Sequence, residues 1–78
     1  MPHYYFDVRD GEKFTSDDTG LDFPDVAKAR DEAARVLTEI AKFVLPGAAV
    51  RELAIEVRDA AKQPLLRATL RYEAQPLP

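Results

Sequence analysis

The stretch Asp25–Leu45 constrains this chain more than any other. Its apolar residues Val26, Ala29, Ala33, Leu37, Ile40 and Val44 recur at intervals of 3, 4, 4, 3 and 4, which keeps them on one face of a 3.6-residue helix. Val36 and Phe43 widen the stripe on one side and Ala41 on the other. Lys28, Asp31, Glu32, Arg35, Glu39 and Lys42 occupy the opposite face. There Lys28–Glu32, Asp31–Arg35 and Arg35–Glu39 stand four apart, within reach of one another. Such pairs contribute only about 0.2–0.5 kcal/mol each, so the apolar stripe has to drive folding. Both ends are punctuated. Pro24 keeps Phe23 out of helical geometry, and the Asp25 carboxylate suits the free amides of a first turn, with Asp22 as the rival cap. Pro46 cannot continue a helix, and Gly47 can take the left-handed conformation that ends one.

The flanking segments alternate like strands. In residues 3–9, Tyr4, Phe6 and Val8 fall on one face, and Tyr5, Asp7 and Arg9 on the other. Asp10-Gly11 signals a hairpin. A three-residue loop, Arg9-Asp10-Gly11, would set Phe14 opposite Phe6 and Lys13 opposite Asp7, keeping an aromatic off the polar face. Thr15 to Asp22 reads as a polar loop with a bend at Gly20. Beyond the helix, residues 51–58 place Leu53, Ile55 and Val57 inward. Residues 65–72 do the same with Leu66, Ala68, Leu70 and Tyr72. Setting Val57 against Leu66 aligns Ile55 with Ala68 and Leu53 with Leu70. The same register brings Glu56 to Arg67 and Glu52 to Arg71, opposite charges that stabilise a sheet when directly across from each other.

The order is strand, strand, helix, strand, strand. One helix covers one face of a sheet, so the expected architecture is α+β: a four-stranded mixed sheet with a single helix packed on one face. A parallel pairing between the hairpins is expected from the crossover through the helix, with the first strand central. Residues 1–73 read as one domain and residues 74–78 as a flexible tail.

Several motifs resemble those of a family of small proteins of unknown function from rhizobia and related alphaproteobacteria. They are Tyr4-Tyr5-Phe6 after Pro2, Asp10-Gly11, Asp17, Gly20, Pro24-Asp25, the Ala-rich helix and Ile55-Glu56-Val57-Arg58-Asp59. The resemblance implies no activity and no catalytic residues. It also exposes two departures. The family usually has glycine in the second hairpin loop, where this chain has Ala60-Ala61-Lys62-Gln63, so Lys62 or Gln63 is expected at positive φ. The segment Phe43 to Val50 is more apolar than the family leads one to expect.

The chemistry that the sequence could carry is sparse. There are no cysteines, which excludes disulfides and thiolate chemistry. Asp17, Asp18, Asp22 and Asp25 precede the helix, but their spacing from Gly20 does not fit a calcium loop, and turn and capping roles account for them. His3 is the only histidine and Ser16 the only serine. Neither zinc ligation nor a nucleophilic triad follows from them. No enzymatic activity, cofactor or metal is expected. Asp7 and Glu56 read as members of a salt-paired face beside Lys13 and Arg67.

A net charge of −3 and a pI near 5.0 weigh against nucleic acid and anionic membranes. The N-terminus lacks signal-peptide features, so a cytoplasmic protein is expected. Two surfaces remain. Phe43, Val44, Leu45 and Val50 form a candidate apolar interaction surface, for a homodimer or another protein. Tyr5, Arg9, Arg58, Arg67 and Arg71 form a candidate nucleic-acid face, the weaker alternative because only one aromatic stands on it among several carboxylates. The expected function is that of a small non-catalytic binding or accessory protein acting through protein–protein contacts. The alternative is a nucleic-acid-associated regulator.

Overall fold

A computed structural model describes residues 1–78. The periodic stretch is the only helix, α1, Val26–Val44. Asp25 caps it, its carboxylate accepting from the Lys28 amide at 3.0 Å. Ala29, Ala33 and Leu37 are buried along its stripe, with Val36, Ile40, Ala41 and Val44 partly buried beside them. Phe43 does not join the stripe. It turns to solvent, 84% exposed, while its neighbours Ile40, Ala41 and Val44 pack on the core. The surface ion pairs also differ from those expected: Arg35 pairs with Glu32 and Lys42 with Glu39, each three residues apart. α1 is neither long nor apolar enough to cross a membrane.

Five strands form one antiparallel sheet on which α1 packs: β1 (His3–Asp10), β2 (Lys13–Thr15), β3 (Leu21–Asp22), β4 (Val50–Asp59) and β5 (Pro64–Glu73). The order is β2-β1-β4-β5, with β3 also on β1. The fold is α+β, and the aromatic first strand is central, as expected. The mixed sheet is not observed. β2 and β3 both run antiparallel to β1 along the same edge, and β4 is antiparallel to β1 on its other edge. The crossover through α1 therefore joins strands that point the same way, but β1 lies between them and satisfies both. This accounts for a helical crossover in a sheet with no parallel ladder. Residues after Glu73 form no regular structure, although the Ala74 amide donates to the Ala49 carbonyl at 2.8 Å.

The second hairpin has the expected register: Val57 faces Leu66, Ile55 faces Ala68, Leu53 faces Leu70, Glu56 faces Arg67 and Glu52 faces Arg71. Its loop is built by Asp59, whose Oδ1 accepts from the Ala61 and Gln63 amides, both at 2.9 Å. Lys62 takes the strained position, with φ of +67°. A left-handed conformation carries a penalty of roughly 1–2 kcal/mol for a residue with a Cβ.

The first hairpin corrects the expected register. Asp10 pairs with Lys13 and Arg9 with Phe14, so the loop is the two residues Gly11-Glu12 and Phe14 stands on the outer face. Gly11 alone has positive φ, at +60°. That pattern fits a type II′ turn, whose twist matches the flanking strands. The misplaced aromatic is accommodated by charge: the Arg9 guanidinium lies 4.6 Å from the Phe14 ring centroid, a cation–π contact.

The core is a single contact between layers. Leu53, Ile55 and Val57 of β4 are fully buried, with Tyr4 and Phe6 of β1 beside them and Ala29, Ala33 and Leu37 above. Phe23 completes it, edge-on to Phe6 at 5.9 Å between ring centroids. Leu37→Ala is expected to destabilise the fold by about 2–5 kcal/mol. Urea unfolding followed by circular dichroism measures it, and a loss under half a kcal/mol would place Leu37 outside the core.

Candidate functional site

With one face under the helix, the other face of the sheet is where functional side chains have to lie. The odd residues of β1 project there, as do the even residues of β4 and the odd residues of β5. Four of the five residues expected on this surface are arginines: Arg9, Arg58, Arg67 and Arg71. The structure brings them onto one face with Tyr5, and every one is engaged. Arg9 and Arg67 both donate to Glu56 Oε2, at 3.0 and 2.9 Å through Nε. Arg71 reaches Glu52 at 3.4 Å. Arg58 donates to Asp7 through Nε at 3.0 Å and to the Asp17 carbonyl at 3.0 Å, and lies 4.4 Å from the Tyr5 ring centroid.

Asp7 is the buried charge of this face, only 7% exposed. It is satisfied by Arg58 and by the Asp17 amide, which donates to Oδ1 at 2.9 Å. Asp17 closes the circuit. Its Oδ2 accepts from the Phe6 amide at 3.0 Å, and its Oδ1 from the amides of Thr19 and Gly20. The Phe6 amide points to the edge of β1, in the gap between the residues paired with β2 and those paired with β3. A carboxylate thus replaces one rung of the ladder. Burial pushes the Asp17 carboxyl up, but the three backbone donors outweigh it and leave it below its ordinary value. Gly20 is obligatory: its φ is +69°, and a Cβ would lie 2.6 Å from both the His3 ring and the Tyr4 carbonyl oxygen. This brace was missed in the sequence, where the acidic loop read as bends and caps. The signal was the spacing Asp17-x-x-Gly20.

His3 pins the far end of the same loop. Its Nδ1 lies 2.5 Å from Asp22 Oδ1 and its Nε2 lies 2.8 Å from the Thr19 carbonyl oxygen. Both neighbours only accept, so the geometry selects the doubly protonated ring. The hydrogen bond to Asp22, followed by that to Thr19, raises its pKa above 6.5. On Glu56, burial pushes the carboxyl up, but hydrogen bonds from Arg67 and Arg9 hold it below its ordinary value. A bidentate bond from Arg51 lowers Asp10.

A shallow groove of about 490 Å³ opens where the β4–β5 hairpin meets this face. Asp7, Glu56, Arg58, Lys62, Leu65 and Arg67 line it. Its carboxylates and arginines are tied to one another. No three His, Asp or Glu side chains come together to hold a metal ion. The apolar surface at the end of the helix is divided. Val44 packs on the core and Leu45 is half-buried, whereas Phe43 and Val50 are exposed.

Across residues 3–71 the sequence matches the family described as a domain of unknown function (DUF6894). The chain belongs to this family. The match runs from His3, through Asp17 and Gly20, to Arg71, and so spans the brace and the outer face of this DUF6894 domain. No curated protein and no solved structure matches the chain.

Two tests address the brace. Asp17→Ala leaves the Phe6 amide without its partner and is expected to destabilise by about 1.5–3 kcal/mol, the range for a hydrogen bond to a charged group. Asp17→Asn should recover part of that loss, and chemical denaturation compares the three. The His3 clasp has a pH signature. Its folded pKa is raised, so its contribution is complete below the unfolded value of about 6.5 and disappears as pH rises through the folded pKa. Asp17 and Glu56 are lowered, so theirs is complete above about pH 4–5 and disappears on acidification. Asp22→Asn should move the His3 titration, followed by NMR, back toward its ordinary value. An unchanged midpoint would contradict the clasp.

Proposed function

We propose that this DUF6894 domain is a small non-catalytic binding or accessory protein that works through protein–protein contacts. One observation carries the reading. The charged side chains of the outer face are paired with one another, while the ten-residue β5 has no strand on its outer edge. A paired side-chain surface offers little to a substrate. An open strand edge offers a row of backbone donors and acceptors to another polypeptide. Exposed Phe43 and Val50 provide a second apolar contact at the end of the helix. Residence in the cytoplasm and an alphaproteobacterial source, the latter implied by the motif resemblance, belong to the same proposal.

The competing role, a nucleic-acid-associated regulator using Tyr5, Arg9, Arg58, Arg67 and Arg71, requires those arginines to leave Glu56, Asp7 and Glu52 for phosphates. A photo-crosslinking residue replacing Thr69 on β5, compared with one replacing Glu39 on the outer side of α1, separates the two. Polypeptide adducts concentrated at position 69 are the expected result. Salt-sensitive binding of single-stranded RNA or DNA that Arg67→Ala abolishes would overturn the proposal in favour of the regulator.

A further inference from the structure

The hydrogen-bond directions along the sheet identify which groups of β5 are free. The Gly11 amide donates to the Glu52 carbonyl, so Glu52 points its backbone groups toward β1. The Ala74 amide donates to the Ala49 carbonyl, so Ala49 points toward β5. Backbone direction alternates along a strand, and therefore Arg51 and Leu53 bond β5 through their partners Tyr72 and Leu70. Arg67, Thr69, Arg71 and Glu73 then turn their amides and carbonyls to the open edge.

We propose that this edge pairs with the same edge of a second copy, in one particular antiparallel register, to give a continuous ten-stranded sheet. This rests on the reading of the domain as a protein-contact module and names its partner. A twofold axis requires the same strand on both copies, and the charges choose among the registers. An axis at Thr69 sets Arg67 against the partner's Arg71, and an axis at Arg71 sets that residue against itself. An axis at Ala68 leaves Glu73 unpaired and runs into the irregularity where Leu65 is inserted opposite Val57 and Arg58. An axis at Leu70 sets Arg67 against the partner's Glu73 twice and Thr69 against the partner's Arg71 twice. An axis at Tyr72 also opposes Arg71 to the partner's Glu73 but overlaps only residues 71–73 of each strand. Among the registers that pair more of β5, the axis at Leu70 alone yields direct opposite-charge pairs with no direct like-charge pair.

Both charges are available for the contact. Arg67 uses Nε and Nη2 on Glu56 and keeps Nη1 free, and Glu73 is held only by a 3.9 Å approach to Arg71 and by Gln75. On the covered face, the same axis sets half-buried Leu70 against its own copy and Ala68 against the partner's Tyr72. Leu70 occupies a non-hydrogen-bonded position relative to the partner strand, where side chains approach most closely. Both helices lie on the same face of the joined sheet.

Sedimentation velocity and amide hydrogen exchange on the full chain, from about 1 to about 300 μM, test this. The expected result is a monomer–dimer equilibrium in which the Thr69 and Arg71 amides, exposed in the monomer, gain protection with concentration. Thr69→Pro removes an edge-facing N–H that the monomer does not use. It should abolish the dimer and keep the helical circular dichroism. Arg67→Glu and Glu73→Arg should each weaken association by about tenfold, and the double swap should restore it. The swap carries the test even if the proline variant fails to fold. A monomer throughout the range, or a dimer indifferent to Thr69→Pro, overturns the inference. Failure of the double swap to restore association overturns the register. If the chain stays monomeric while position 69 crosslinks to a different protein, self-pairing falls and the protein-contact reading stands. If neither occurs, both fall.

Discussion

The structure depends on the contact between Ala29, Ala33 and Leu37 of α1 and Leu53, Ile55 and Val57 of β4. These six side chains sit at the centre of the one helix-on-sheet core, and the two alanines matter as much as the larger residues. A small residue at each turn lets the helix lie close to the sheet, so that the buried strand residues reach full burial under one helix. One turn beyond Ala33, Leu37 is buried in the same cluster. Everything else hangs from β4, which pairs with β1 on one side and β5 on the other. A chain of this length buries a modest fraction of its surface, and it has no second layer to fall back on.

Covering one face leaves the other to be made stable without burial, and the outer face does this with charge. Glu56 sits between Arg9 and Arg67, and Glu52 lies against Arg71, each pair spanning adjacent strands. Such pairs are individually weak when exposed. Their value here lies in register, because a one-residue slip would part Glu56 from Arg67 and Glu52 from Arg71, set both glutamates opposite apolar or aromatic residues, and turn the apolar set to solvent. Asp7 is different in kind. It is buried, and it would be costly if Arg58 and the Asp17 amide did not satisfy it. The knot of Asp7, Arg58 and Asp17 ties the acidic loop, β1 and β4 together at one point.

The parts of this fold legible in the sequence were those set by periodicity. The Asp25 cap, the stripe on α1 and the second hairpin follow from spacings of three, four and two, and the paired charges Glu56–Arg67 and Glu52–Arg71 check the register independently. Lys62 at positive φ was legible because the loop lacks glycine. What the sequence did not disclose depends on single side chains replacing backbone. Asp17 stands in for a rung of the ladder between β2 and β3, and no hydrophobic pattern records a carboxylate bound to Phe6 N–H. The first hairpin misled for a related reason. Keeping Phe14 off the polar face was the sound rule, yet Arg9 offers its ring a cation, and the tight turn at Gly11-Glu12 needs that register. The absence of a parallel ladder is a matter of topology: β1 inserted between strands that would otherwise have paired.

The two edges of the sheet have opposite designs. On the β1 side the edge is broken into a three-residue strand, a carboxylate and a two-residue strand. No continuous run of free amides remains there, which is how natural sheets discourage further pairing. On the other side β5 runs ten residues without a covering element. Its outward charges are not the uniform lysines that repel a second strand. Arg67 and Glu73 are opposite in sign and six positions apart, an arrangement that opposes like charges in several registers and, among the registers with long overlap, attracts a copy in one. An edge that excludes the wrong alignments while admitting one is a specificity device. A domain with so thin a core gains further from such an edge, because anything that binds only the folded state adds to its stability in proportion to how far it is saturated. Folding and association would then be linked through the same strand that closes the sheet.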